Sequence, residues 1–207
     1  DFDYNVGIPE SADFSFDWSA RIKDIGFKND HTVYANNKNT IRFGVASTIH
    51  EFLPAKLEFG GGGIPASGFE LSIRYGLESA VYAGNEQRIG SRLSMEYGLR
   101  FAHFANVGVD TVIQYDENFD TTGFNAYASG DFYNIYQGLE PRLSVKYTLD
   151  ENSSLKASYN RINQYLHLAS NSTGGAPLDI WIPSTPNVRP QVVDQIAGGY
   201  FRNFFDN

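Results

Sequence analysis

Four stretches of the chain alternate apolar and polar residues at every position. They are Phe69-Glu-Leu-Ser-Ile-Arg-Tyr-Gly-Leu77, Leu93-Ser-Met-Glu-Tyr-Gly-Leu-Arg-Phe101, Ile41-Arg-Phe-Gly-Val45 and Leu139-Glu-Pro-Arg-Leu-Ser-Val-Lys-Tyr147. Side chains on a β-strand point to opposite faces with a period of two. Each stretch therefore predicts a strand with Phe, Leu, Ile, Tyr, Met and Val on one face. The other face carries Arg42, Glu70, Arg74, Glu78, Glu96, Arg100, Glu140, Arg142 and Lys146. A barrel wall with lipid outside and a polar lumen inside has this pattern, and so does a large soluble sheet.

Periodicity and turn signals together predict about seven long strands, near 14–34, 40–52, 69–83, 91–104, 137–147, 154–169 and 189–203. Short polar links fall at 35–39, 84–90 and 148–153. Long links fall at roughly 53–68, 105–136 and 170–188, in alternation with the short ones. In an up-and-down antiparallel meander, all the tight turns then lie at one end and all the long loops at the other. Outer-membrane barrels sort their connections in this way, whereas a soluble sandwich has no reason to. Trp18, Phe101, Phe43, Tyr147 and Tyr159 fall near strand ends, where interfacial aromatic girdles belong.

Composition narrows the picture. The 207 residues include 16 Phe, 13 Tyr and 20 Gly, and no run approaches the length of a membrane-spanning helix. A barrel strand needs only about 9–11 alternating residues, so this leaves a membrane barrel open. There is no cysteine, which excludes disulfides and thiolate metal sites. The formal charge of −8, without a Lys/Arg cluster, argues against nucleic acid.

No constellation of catalytic type emerges. Glu70, Glu78, Glu96 and Glu140 share a face with Arg74, Arg100 and Arg142, and pairing with those arginines explains them better than acid/base chemistry. His31, His50, His103 and His167 are scattered, and Gly60–Gly63 lacks the Lys-Ser/Thr of a phosphate loop. Asp116-Glu-Asn-Phe-Asp120 offers oxygen atoms at spacings suited to calcium but not the full binding-loop pattern, so a solvated acidic loop is the expectation. No cofactor is expected.

The segments Arg92-Leu-Ser-Met-Glu-Tyr-Gly-Leu-Arg100 and Gly138-Leu-Glu-Pro-Arg-Leu-Ser-Val-Lys-Tyr147 resemble the barrel portion of TonB-dependent outer-membrane receptors. Ser154–Leu168, Pro177-Leu-Asp-Ile-Trp-Ile-Pro-Ser184 and Arg189-Pro-Gln-Val-Val-Asp-Gln195 extend the likeness, which is similar to receptors carrying an N-terminal carboxypeptidase-regulatory-like module. The resemblance runs from about residue 40 onward. It implies that residues 1–207 are an internal part of a barrel of about 22 strands, lacking the plug domain, the TonB-contacting segment and the terminal strands. It further implies a place in the outer membrane of a Gram-negative bacterium. The activity expected is TonB-coupled import of a scarce nutrient such as a siderophore, vitamin or glycan, with outer-membrane lipid, the TonB complex and that nutrient as partners and no enzyme activity. The alternative is a secreted β-sandwich that binds carbohydrate or acts as an adhesin.

On the barrel reading, Arg74, Glu96, Arg100, Arg142 and Lys146 face the lumen, and Leu71, Ile73, Tyr75, Leu93, Met95, Leu143 and Val145 face lipid. Tyr115, Phe119, Phe124, Tyr127, Asp179 and Trp181, on the long loops, are the candidate ligand contacts.

Overall fold

The computed structural model describes residues 2–8, 15–61, 64–169 and 180–204. Among them there is no helix. Thirteen strands are present: β1 Phe2–Ile8, β2 Ser15–Asn36, β3 Asn39–Gly61, β4 Ile64–Glu70, β5 Arg74–Ile89, β6 Leu93–Val107, β7 Asp110–Tyr115, β8 Thr121–Tyr127, β9 Phe132–Thr148, β10 Ser153–Gln164, β11 Leu166–Ala169, β12 Ile180–Pro183 and β13 Gln191–Arg202. Nine of them form one antiparallel sheet in the order β1-β2-β3-β5-β6-β9-β10-β13, with β4 also paired to β3, and this sheet curls into a half-barrel. The seven long strands of the meander are those the alternation predicts.

The details depart from the sequence reading in four places. The alternation at 69–77 is not one strand: β4 ends at Glu70, and β5 begins at Arg74. Leu71 instead donates its N–H to the Ala55 carbonyl at 2.9 Å, so Leu71 and Ile73 lie in the corner and not on a wall strand. The link at 84–90 is strand as far as Ile89, and the chain turns at Gly90, whose φ of 67° suits a residue without a Cβ. The long link at 105–136 contains the β7–β8 hairpin, and the strand expected over 154–169 ends at Gln164, its last residues forming β11, which pairs with β12 of the link 170–188. Finally, an additional strand before the seven, β1, pairs with the upper part of β2 from Phe16 to Ile22.

Two prolines explain irregularities in the ladder. Between Ser19 and Arg21 the register of β2 on β3 slips, so that Ala20 opposes both Pro54 and Ala55. A bulge tolerates a residue that has no N–H. In β9, pairing with β6 continues past Pro141, while pairing with β10 stops at Arg142. Pro141 has no N–H to offer β10, so the upper end of β10 separates from β9 while staying paired with β13 as far as Gln164. The Glu140 carboxylate takes over there, accepting from the Asn163 backbone N–H at 3.0 Å.

The short turns, at 37–38, 90–92 and 149–152, lie at one end, and the long connections lie at the other. Each short turn projects further than the last. Arg88 N–H bonds the Lys38 carbonyl, Thr148 N–H bonds that of Arg92, and Asn203 N–H bonds that of Asn152, at 2.8, 2.8 and 2.9 Å. This stagger is what tilting strands into a curved wall requires.

Register fixes the two faces. Ile41↔Asn85↔Tyr97↔Leu143 and Phe43↔Ala83↔Leu99 lie on one, and Arg42↔Gly84↔Gly98↔Arg142 and Tyr82↔Arg100↔Glu140 lie on the other. Tyr75, Leu93, Met95 and Val145 belong to the first face; Arg74, Glu96 and Lys146 belong to the second.

Candidate functional site

The polar face is the concave one. The chain between β10 and β13 starts at the β10 end of the sheet, yet β12 packs against β3 and β2 at the far side. Such a chord is short only across the inside of the curve. We call residues 165–190 the strap. Residues 170–188 are one of the long links expected at the long-loop end; the described part, from Ile180, packs at that end against the concave wall.

Its docking surface is built from the upper ends of the strands. Trp18, Ala55 and Leu57 form a buried apolar patch against which Ile180 packs. Nearby, the Tyr165 ring stacks on Phe104, 5.0 Å between centroids and 7° from parallel, over Ala102 and beside Tyr136. Polar groups lock the register. Asn106, fully buried, donates to the Ser184 carbonyl at 2.8 Å and accepts from the Asn134 amide at 2.8 Å. The Tyr136 hydroxyl donates to the Thr185 carbonyl at 2.8 Å, and His167 Nε2 pairs with Ser184 Oγ at 2.8 Å. Burial lowers the His167 pKa, so the imidazole stays neutral there. An added Cβ at Gly138 would stand 2.4 Å from the Asn163 amide, so a larger residue there would displace that side chain.

Below the strap, charged side chains cross the concave face as a belt. His50 Nδ1 lies 2.8 Å from Asp24 and its Nε2 lies 4.0 Å from Glu78. Arg100 stands between Glu78 at 3.4 Å and Glu140 at 3.3 Å, and Arg142 lies 3.9 Å from Glu140. Arg42 approaches Glu86 at 3.4 Å and Glu96 at 4.0 Å. Tyr82 donates a short hydrogen bond to Asp30. Beneath Arg100 the wall opens into a hollow of about 500 Å³. Arg74, at the upper end of β5, instead reaches Asp110 in the β7–β8 connection at 3.7 Å.

The loop residues singled out from sequence are not brought together with the belt. Tyr115, Phe119 and Phe124 are exposed on the β7–β8 hairpin, with Phe119 at its tip in the left-handed region at φ 65°. Tyr127 stacks on Tyr133, 4.2 Å between centroids. The Tyr133 hydroxyl donates to Asp110 at 2.5 Å, and its pKa is raised by burial and by that carboxylate. Asp116 accepts from the N–H groups of Asn118 and Asp120, both at 2.9 Å, so its carboxylate closes the hairpin turn. Trp181 is half-buried in the strap, edge-on to Phe2 at 5.8 Å. Asp179 lies outside the described residues. What sequence reasoning missed is the strap's docking set, Asn106, Tyr136, Tyr165, His167 and Ser184.

Comparison with protein-family models, with curated protein sequences and with solved structures gives no match.

Proposed function

We propose that this chain is wall and loops of an outer-membrane β-barrel that imports a nutrient. The observation that carries this reading is the convex face. Ile25, Phe27, Ile41, Phe43, Val45, Ile49, Val81, Leu99, Leu139 and Leu143 all lie on it and remain exposed. On β3 the apolar positions run from Ile41 to Ile49, with Asn39 below and Glu51 above on the same face. That span matches the roughly 9–11 tilted residues with which a barrel strand crosses a bilayer. An aqueous monomer rarely exposes so continuous an apolar surface. A sandwich would cover it with a second sheet, and among the described residues no strand packs on it.

The sorted turns and loops support an orientation with the short turns toward the periplasm and the hairpins and strap toward the outside. TonB coupling and nutrient import rest on the resemblance of 92–100 and 138–195 to TonB-dependent receptors. The absence of cysteine allows a direct test. Single cysteines at Phe43, Leu99 and Leu143, labelled with an environment-sensitive fluorophore in vesicles, should be quenched by brominated lipid. Cysteines at Arg42, Glu96 and Arg142 should be quenched by aqueous iodide. Equal aqueous quenching on both faces would end the membrane reading.

A further inference from the structure

The lower margin of the concave face carries a row of cations that the wall does not need. Arg88, Ser94, Lys146, Lys156 and Gly199 stand opposite one another in register from β5 to β13. Lys38 continues the row beyond Arg88, whose N–H its carbonyl accepts, and Arg92 lies one row below, opposite Thr148. All five cations are exposed, and among the described residues none has a carboxylate within 4.0 Å. In the rows above, around the floor of Gly84 and Gly98, carboxylates match the arginines. Glu86 and Glu96 are held there by Arg42, at 3.4 and 4.0 Å. In the turn below, Asp150 accepts from the Asn152 N–H and the Ser153 hydroxyl, at 2.9 and 2.5 Å. With these three acids, Glu151 and Arg42 all counted, the lower margin keeps an excess of two positive charges in a chain whose net charge is −8.

Two features of this row point to a ligand. Lys146 and Lys156 are direct cross-strand partners, and like charges so placed destabilise a sheet. An anion lying across them removes that cost. At the end of the row, a Cβ at Gly199 would stand 2.9 Å from the Phe201 ring, so glycine lets the ring lie along the wall. The ring is half exposed, and the Lys156 ammonium lies 4.4 Å from its centroid. A cation–π contact of this kind leaves the charge of the ammonium in place.

We infer that the row is a binding site for an acidic polysaccharide, its carboxylates on Arg88, Lys146 and Lys156, its hydroxyls on Ser94, and one of its rings stacked on Phe201. Strands stand about 4.8 Å apart, so the cations from Lys38 to Lys156 span roughly 19 Å. That is the reach of a polymer, not of a single sugar. A polypeptide fits less well, because the wall strands spend their main-chain groups on one another and an added peptide pairs at a sheet's edge, not across its face. The aromatic face and the intervening hydroxyl suit a sugar ring. The inference rests on the import reading, in which the row lines the route at the short-turn end, and it narrows the nutrient to a carboxylated glycan.

Calorimetry on the full chain in detergent, with hexagalacturonate, maltohexaose and hexaglutamate as probes, tests it. Hexagalacturonate should bind at least tenfold tighter than either of the others. Lys146→Gln combined with Lys156→Gln should weaken it at least tenfold, whereas Lys23→Gln, on the convex face, should leave it unchanged. Phe201→Leu should weaken it severalfold with both lysines in place. Equal binding of maltohexaose or no binding of hexagalacturonate would overturn the site. So would unchanged affinity in the double variant or in Phe201→Leu, or an equal loss in Lys23→Gln. Equal or tighter binding of hexaglutamate would make the row a dock for acidic polypeptide and overturn the glycan assignment. Any of these results in a chain that still shows lipid quenching of its convex face would leave the wall reading intact.

Discussion

Arg100 on β6 and Glu140 on β9 face each other directly across the ladder with 3.3 Å between their charged groups, and Glu140 is only 5% exposed. The carboxylate also accepts from the Asn163 backbone and side chain, at 3.0 and 3.2 Å. It therefore joins the wall to the stem of the strap.

Removing one member should expose this dependence. Arg100→Gln leaves a buried carboxylate with Arg142 as its nearest cation, and should destabilise by about 3–5 kcal/mol. Adding Glu140→Gln to that variant should recover part of the loss. Chemical unfolding in detergent measures both, and an unchanged midpoint for Arg100→Gln would show that the pair is solvated.

The two faces should respond in opposite ways to charge. Leu143→Arg puts a cation on the convex face and should cost about 2–4 kcal/mol if it lies near the bilayer midplane. Ser144→Arg, one residue along, enters the hollow side and should cost much less. Unfolding from lipid vesicles compares them, and equal costs would contradict the assignment of faces.

Asn106 is the fully buried member of the strap's polar anchors. Asn106→Leu keeps the volume but strands the Ser184 carbonyl and the Asn134 amide, at about 1–3 kcal/mol for the buried groups left unpaired. Hydrogen exchange should rise across 180–188 while β5 and β6 stay protected. Unchanged protection of 180–188 would mean that the apolar contacts of Ile180 and Tyr165, with the Tyr136 and His167 hydrogen bonds, hold the strap without Asn106.

The strap should also loosen in acid. Burial depresses the His167 pKa below its ordinary value of 6.5. The docked state then favours the neutral imidazole, and its advantage is complete above about pH 6.5. It declines as pH falls below that value, because the undocked histidine takes up a proton that the docked one refuses. Trp181 fluorescence followed from pH 8 to pH 5 should report the release, and His167→Gln should flatten the profile. A pH-independent wild-type signal would rule out this linkage.

The wall was legible in the sequence because alternation is a local signal that burial reinforces: Leu93–Phe101 and Leu139–Tyr147 each declare their faces without help from neighbours. The inner side of the site was legible only as a set of charges, since Arg42, Arg100 and Arg142 meet around a glycine floor through register between distant strands. The strap was not legible. Its anchors, Asn106, Tyr136 and Ser184, come from distant segments, and no local alternation announces that they meet. The hairpin at 110–127 was missed for a different reason. Its strands are short, and Asp116 caps a turn that reads from sequence as an acidic loop.

The direction of the outermost long strands has a consequence for assembly. β2 and β13 stand at opposite margins of the meander, and both run from the long-loop end toward the short turns. A second copy set edge to edge around a common axis would bring β13 alongside the lower part of β2 in parallel, at both seams. Self-pairing therefore cannot close this surface into a purely antiparallel cylinder. Any polypeptide that completes it must present a strand running the opposite way at each margin, and hence an odd number of strands in between.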